Sequence, residues 1–272
     1  MAHRLRSLKS FAKKEGMDPD KLDMLLTDAR KRLFDIREGR THPLKDDKIL
    51  TSWNGLMIAA LAKGYQALGD EAFADAARKA ADFILKNLKT GDGRLLRRYR
   101  NGDAAYAGYL DDYAFMVWGL IELYEATFEA AYLEAAIALN REMIEIFWDK
   151  KGGGLYFTGK GNETLITRSK DVYDGALPSG NSVAALNFLR LGRMTGNIDL
   201  EKKAEQLVAA FSRDIIAQPI AYTQLLSALE FMIGPTQEIV IAGDPGLDAT
   251  KDMVRAVHRE FLPNKVVLLH QN

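Results

Sequence analysis

Apolar residues recur along the chain at helical spacing, in segments of two kinds that alternate. The first kind is charged and amphipathic. From Asp20 to Glu38, Leu22, Leu25, Leu26, Ala29, Leu33 and Ile36 share one side, and Gly39 follows where a helix C-terminus favours glycine. The second kind is apolar. After the polar loop Arg40 to Lys48, the residues Trp53, Leu56, Met57, Ala60, Leu61, Gly64, Tyr65 and Leu68 mark a helix, and a more charged one follows from about Glu71 to Leu88. The next round predicts a helix from about Leu110 to Thr127 that is apolar on nearly every side, as helices buried all round are. An amphipathic partner runs from about Tyr132 to Trp148. A third round pairs apolar Ser179 to Met194 with charged Glu201 to Asp214, and a fourth apolar helix runs from about Ile220 to Met232.

Turn signals separate the rounds. Gly91-Asp92-Gly93 and Asn101-Gly102 flank Arg94 to Tyr99 and predict a short β-hairpin; Gly152-Gly153-Gly154 precedes a second short strand, Leu155-Tyr156-Phe157. Alternating buried and amphipathic helices are the pattern of helical hairpins set in a ring, with the apolar helices as inner wall. An irregular bundle is the alternative, and the turn composition at each junction speaks against it. The expected fold is therefore all-α, a partial (α/α)6 toroid over residues 1–236. The tail, 237–272, reads as a small βαβ unit: strand Glu238 to Gly243, helix Thr250 to Phe261, strand Val266 to Leu269. Its strands need neighbours. Four buried helices, starting near Trp53, Leu110, Gly180 and Ile220, fall short of a closed ring of six. The chain thus reads as a piece of a longer one, with a homo-oligomer expected to cover its open apolar edges.

Composition narrows the chemistry. Lys+Arg and Asp+Glu are each 37, which argues against a nucleic-acid partner. No cysteine is present, so disulfides and thiolate metal sites are excluded from this chain, and a cytoplasmic location is the simplest expectation. No run of about 18 apolar residues suggests a membrane partner. Of the four histidines only His42 lies near the polar clusters, so neither a metal nor a histidine acid/base pair is expected, and no cofactor is called for.

Polar residues gather at the starts of the apolar helices: Asp46 to Gly55, Tyr109 to Tyr113, Asp174 to Ser182, and Tyr222 to Gln224. If these helices share one direction, their starts converge with their free N–H groups and positive dipole ends. Ser52, Asp111 and Ser179 each have a plain reading as N-caps. Taken together, paired acids beside aromatic rings suit a sugar site, with carboxylates for acid/base work and ring faces for C–H surfaces. The catalytic candidates are Asp112, Asp111 and Asp174. Asp47, Trp53, Asn54, Tyr109, Tyr113, Ser179 and Asn181 are candidates for holding a carbohydrate or other small ligand.

The stretches DDKILTSWNGLMIAAL, GYLDDYAF and DGALPSGNS resemble the DUF255 family, the thioredoxin-domain proteins related to spermatogenesis-associated protein 20. The resemblance runs from about Arg30 to the tail. It implies an N-terminal thioredoxin-like domain as partner in the full-length protein. A C-terminal toroid similar to N-acylglucosamine 2-epimerases and six-hairpin glycosidases would follow it, and this chain resembles that toroid portion. Epimerases of that fold rely on histidines of the ring helices, which this chain lacks. Glycosidases and unsaturated glucuronyl hydrolases of that fold rely on aspartates near inner-helix starts, which Asp111, Asp112 and Asp174 match in kind. The expected function is a carbohydrate-active or sugar-binding toroid, glycoside hydrolase-like; the alternative is a non-catalytic binding or scaffold module.

Overall fold

The computed structural model describes residues 7–161 and 166–270. The chain divides into two compact units, one ending at Asp47 and the other beginning at Lys48. In the first, α1 (Leu8–Lys14) packs against α2 (Pro19–Glu38). Asp18 caps α2, accepting the N–H groups of Asp20 and Lys21 at 2.8 and 3.1 Å, and Pro19 occupies the first position, where its missing N–H costs nothing.

The second unit is a series of helical hairpins. α3 (Thr51–Leu68) pairs with α4 (Glu71–Asn87), α5 (Leu110–Thr127) with α6 (Ala130–Phe147), and α7 (Gly180–Thr195) with α8 (Ile198–Ala210). A short α9 (Ser212–Ala217) and a 3-10 turn (Pro219–Ala221) lead into α10 (Thr223–Ile233). The apolar helices pack side by side in the order α3, α5, α7, α10. Among the described residues these four form the inner wall of a partial toroid, as the alternation predicts. α5 is the most enclosed, with every residue from Asp112 to Val117 and from Gly119 to Ala126 buried. The core includes Phe115, Phe147 and Phe188, each at most 1% exposed and each worth about 1.5–3 kcal/mol of burial.

α3 and α5 cross at backbone contact. A Cβ on Gly55 would lie 2.5 Å from the Phe115 carbonyl carbon, and one on Gly119 would lie 2.6 Å from the Gly55 carbonyl oxygen. Only glycine admits this approach.

A three-stranded antiparallel sheet ties the helix starts together. β1 (Ile49–Leu50) runs directly into α3 and pairs with β2 (Leu96–Arg100), which pairs in turn with β3 (Asp103–Ala107) across the Asn101–Gly102 turn. The first hairpin thus forms where its turn signals lie. The second predicted strand does not: Leu155 makes one antiparallel bridge, to Trp148. The backbone groups of this segment are engaged elsewhere. Asn181 holds both the N–H and C=O of Leu155, and the Phe157 carbonyl accepts Leu110 N–H at 3.1 Å.

The tail is the expected βαβ. β4 (Gln237–Ala242) and β5 (Lys265–His270) pair in parallel, with α11 (Asp248–Arg259) between them. It belongs to the same compact unit as the hairpins, whereas the sequence suggested a boundary at 236/237. Burial explains the union. Val266 and Val267 are wholly buried, and Val267 N–H donates to Glu125 of α5 at 3.2 Å. Among the described residues no helix is long and apolar enough to cross a membrane.

Candidate functional site

The starts of α3, α5 and α7 are brought together by side chains that hold one another's backbone. Asp112, fully buried, is the chief tie. Its Oδ1 accepts Ser52 N–H at 3.0 Å and its Oδ2 accepts Tyr109 N–H at 2.9 Å, with the Arg97 guanidinium 3.6 Å away. One carboxylate thus closes the capping box of α5 and pins α3 beside it. Burial raises its pKa, opposed by these backbone bonds and by Arg97.

Asp174 makes the corresponding tie for α7 and α10. Its Oδ1 accepts Ser179 N–H at 2.9 Å, and its Oδ2 accepts the N–H groups of Gln224 and Leu225 at 2.8 and 3.2 Å. No side chain at the N-cap position serves α10, so Asp174 satisfies its orphan donors from outside. Asn181 is also a tie, fully buried, its amide donating to the carbonyls of Leu155 and Asp171 at 2.9 and 2.8 Å. Of the three expected N-caps only Ser179 is one, accepting Ser182 N–H at 3.1 Å. Ser52 and Asp111 sit inside the first turns of α3 and α5.

Asp111 differs from the other two aspartates. It stands partly exposed, between Asp112, Asp171 and the start of α7, where it accepts the Gly180 N–H. A Cβ on Gly180 would lie 2.5 Å from Asp111 Oδ1 and 2.7 Å from Leu110 Cγ, so a side chain there would push the carboxylate aside. Burial, then the neighbouring charges of Asp112 and Asp171, push its pKa up to about 6. Asp171 is exposed, on the loop that Asn181 anchors.

The aromatic candidates separate. Tyr109 stacks on Phe157, centroids 5.1 Å apart at 18°, and carries the Arg97 guanidinium 4.6 Å from its ring. Trp53, 62% exposed in the first turn of α3, lies at the same helix-start end. Tyr113 does not belong to the site. It is 1% exposed in the core, its hydroxyl accepting Leu95 N–H at 2.9 Å, because the fourth residue of this enclosed helix faces inward. Asn54, half-buried, donates to the Leu50 carbonyl within its own turn. Asp47 belongs to the other compact unit.

A second polar cluster, absent from the sequence reading, lies further along the inner helices. Glu122 and Glu125 of α5 share the Arg190 guanidinium of α7, at 2.6 and 3.0 Å. All three side chains are at most 7% exposed. Burial alone would raise the Glu122 pKa, but Arg190 and Lys63 outweigh it and hold it at about 2; the pKa of Glu125 is raised by its burial. The signal was in the sequence: between Tyr113 and Thr127 these glutamates are the only charges of an otherwise apolar helix. Among the described residues no group of three or more His, Asp or Glu side chains is placed to hold a metal ion.

Hairpins with an apolar inner helix and an amphipathic outer one, joined by polar ties at the inner-helix starts, define an (α/α) toroid. Solved structures share it. An alpha-mannanase of glycoside hydrolase family 76 from Bacteroides thetaiotaomicron matches with TM-score 0.57 and 16% identity, over 80% of this chain and 59% of that one. A cellobiose 2-epimerase from Bacillus thermoamylovorans matches with TM-score 0.52 and 17% identity, over 62% and 46%. The fold is thus one used by sugar epimerases and glycoside hydrolases. The chain itself belongs to the spermatogenesis-associated protein 20 family. It is 37% identical over 274 residues to the Homo sapiens protein and 36% to that of Mus musculus, each match covering 97% of this chain. An uncharacterized Caenorhabditis elegans protein is 32% identical over 253 residues, 89% of this chain. The chain spans about a third of the length of these relatives, 35% of the first two. No protein-family model matches it.

Proposed function

We propose that the end of the toroid where α3, α5 and α7 begin takes a carbohydrate, with Asp111 as the group that gives and receives the proton. One observation carries this reading. Of the three aspartates singled out in the sequence, Asp112 and Asp174 spend both oxygens on backbone N–H groups, whereas Asp111 meets a single one and has its pKa raised to about 6. A carboxyl at that value suits general acid/base catalysis near neutral pH. Asp171 supplies the second carboxylate, since it is exposed and electrostatically coupled to Asp111. Trp53 offers a ring face to sugar C–H surfaces, whereas the Tyr109 ring is taken up by Phe157 and Arg97.

The test is a glycan panel presented to the wild type, Asp111→Asn and Asp171→Asn. Turnover by the wild type that falls by at least about a hundredfold in Asp111→Asn supports the assignment. Turnover unaffected by both variants refutes it. The alternative is a binding or scaffold module, favoured by the engagement of Asp112 and Asp174 in structural ties. It expects saturable saccharide binding without turnover, weakened by Trp53→Ala.

A further inference from the structure

The C-terminal halves of α3 and α5, together with α7, α10 and the segment from α11 into β5, line an open cleft of about 310 Å³. That is large enough for a small metabolite. Its wall holds the Glu122–Arg190–Glu125 cluster with Lys63, His258 and Lys265; Glu260 lies at its exposed rim.

The buried acids of this wall are already served. Glu122 accepts Trp118 Nε1–H at 2.9 Å and Arg190 at 2.6 Å, and its other oxygen lies 3.1 Å from Lys63 Nζ. Glu125 accepts Val267 N–H and pairs with Arg190. Three buried atoms of this wall lack a hydrogen bond: Glu122 Oε2, which meets only the Lys63 charge, and two nitrogens. Arg190 Nε, on a side chain 7% exposed, has no hydrogen-bond partner, and neither has the buried His258 Nε2. Lys265, half-buried, has no acid within ion-pair distance among the described residues. Buried polar groups are costly to leave unpaired, and a wall whose acids are paired with Arg190 and Lys63 while Arg190 Nε, His258 Nε2 and Lys265 are unmet calls for a ligand rich in acceptors.

We propose that this cleft binds a compact oxyanion, the phosphate or carboxylate group of a small metabolite, held by Lys265, Arg190 and His258. Lys265 and Arg190 donate charge-assisted hydrogen bonds, the stronger class. His258 responds to the occupant. Burial, then the charge of Lys265, lowers its pKa to about 4, so it is neutral in the empty cleft at pH 7. An anion beside it opposes both effects and favours the imidazolium, whose Nε2–H then also donates.

The experiment titrates the full chain with inorganic phosphate and, separately, with succinate, following binding by calorimetry and the His258 ring protons by NMR. Saturable binding is expected, weakened at least tenfold by Lys265→Gln, weakened by added salt, and accompanied by a rise in the His258 midpoint. Binding of phosphate alone identifies a phosphate ester as the natural group, and binding of succinate alone a carboxylate. Comparable binding of both identifies a general oxyanion site. Asp111→Asn is expected to leave this binding intact, which separates its outcome from that of the helix-start reading. Absence of saturation by either probe overturns the proposal, as does binding that both Lys265→Gln and His258→Gln leave unchanged.

Discussion

Replacing Asp111 with asparagine should stabilise the protein, and the gain should depend on pH. The folded pKa is raised from 3.8 to about 6, so the native state binds the proton more tightly than the unfolded chain. Well below pH 3.8 both states are protonated and Asp111 contributes nothing to the difference. Between pH 4 and 6 the native state holds more protons, and its stability falls as pH rises. Above pH 6 the full cost of the buried charge is present, at most about 3 kcal/mol for a shift of about two units, and about 1–2 kcal/mol once partial exposure is allowed for. Asparagine keeps an oxygen for the Gly180 N–H and never ionises. Urea unfolding of both proteins from pH 4 to pH 8 measures this, because titrating groups remote from Asp111 cancel in the difference. The expected difference is small at pH 4, about 0.5 kcal/mol or less, and grows to about 1–2 kcal/mol in favour of the variant by pH 8. A pH-independent difference, or a variant less stable at pH 8, would refute the placement of Asp111 in a desolvated, acid-rich site.

The structural ties should behave oppositely. Asp112→Asn offers one acceptor oxygen to two N–H donors, one buried and one part-buried, and should cost about 2–3 kcal/mol in urea unfolding at pH 7. Asp174→Ala uncaps α10 and should cost about 1–2 kcal/mol by the same measurement. Gly55→Ala forces α3 off α5 and should cost about 3 kcal/mol. Gly64→Ala in the same helix, whose new Cβ would first meet the Phe73 ring at an ordinary 3.5 Å, should cost nothing and serves as the control.

The hairpin pattern was legible because period and composition report burial. α5, apolar on nearly every side, is enclosed on every side, and the alternation with charged partners reproduces inner and outer walls. The convergence of polar residues at the helix starts was legible too. Their individual roles were not. Asp111 and Asp112 are adjacent and chemically identical, and only the 100° turn between them decides that one faces Ser52 and the other Gly180. Tyr113 reads as a pocket aromatic until its hydroxyl is found on Leu95 N–H. The strand at Leu155–Phe157 failed because Asn181, 26 positions later than Leu155, claims its backbone groups. Such long-range polar ties leave no local pattern. Glu122, Glu125 and Arg190 stood in plain view as charges on apolar helices, but their joining depends on the packing of α5 against α7.

The most direct measurement is the NMR titration of the Asp111 side-chain carboxyl carbon, assigned by its loss in Asp111→Asn, in the free protein and with a saccharide present. The expected midpoint is near pH 6 in the free protein, displaced when a saccharide binds against the helix starts. A midpoint near pH 4 that no saccharide moves would contradict the assignment of this end of the toroid as the functional one.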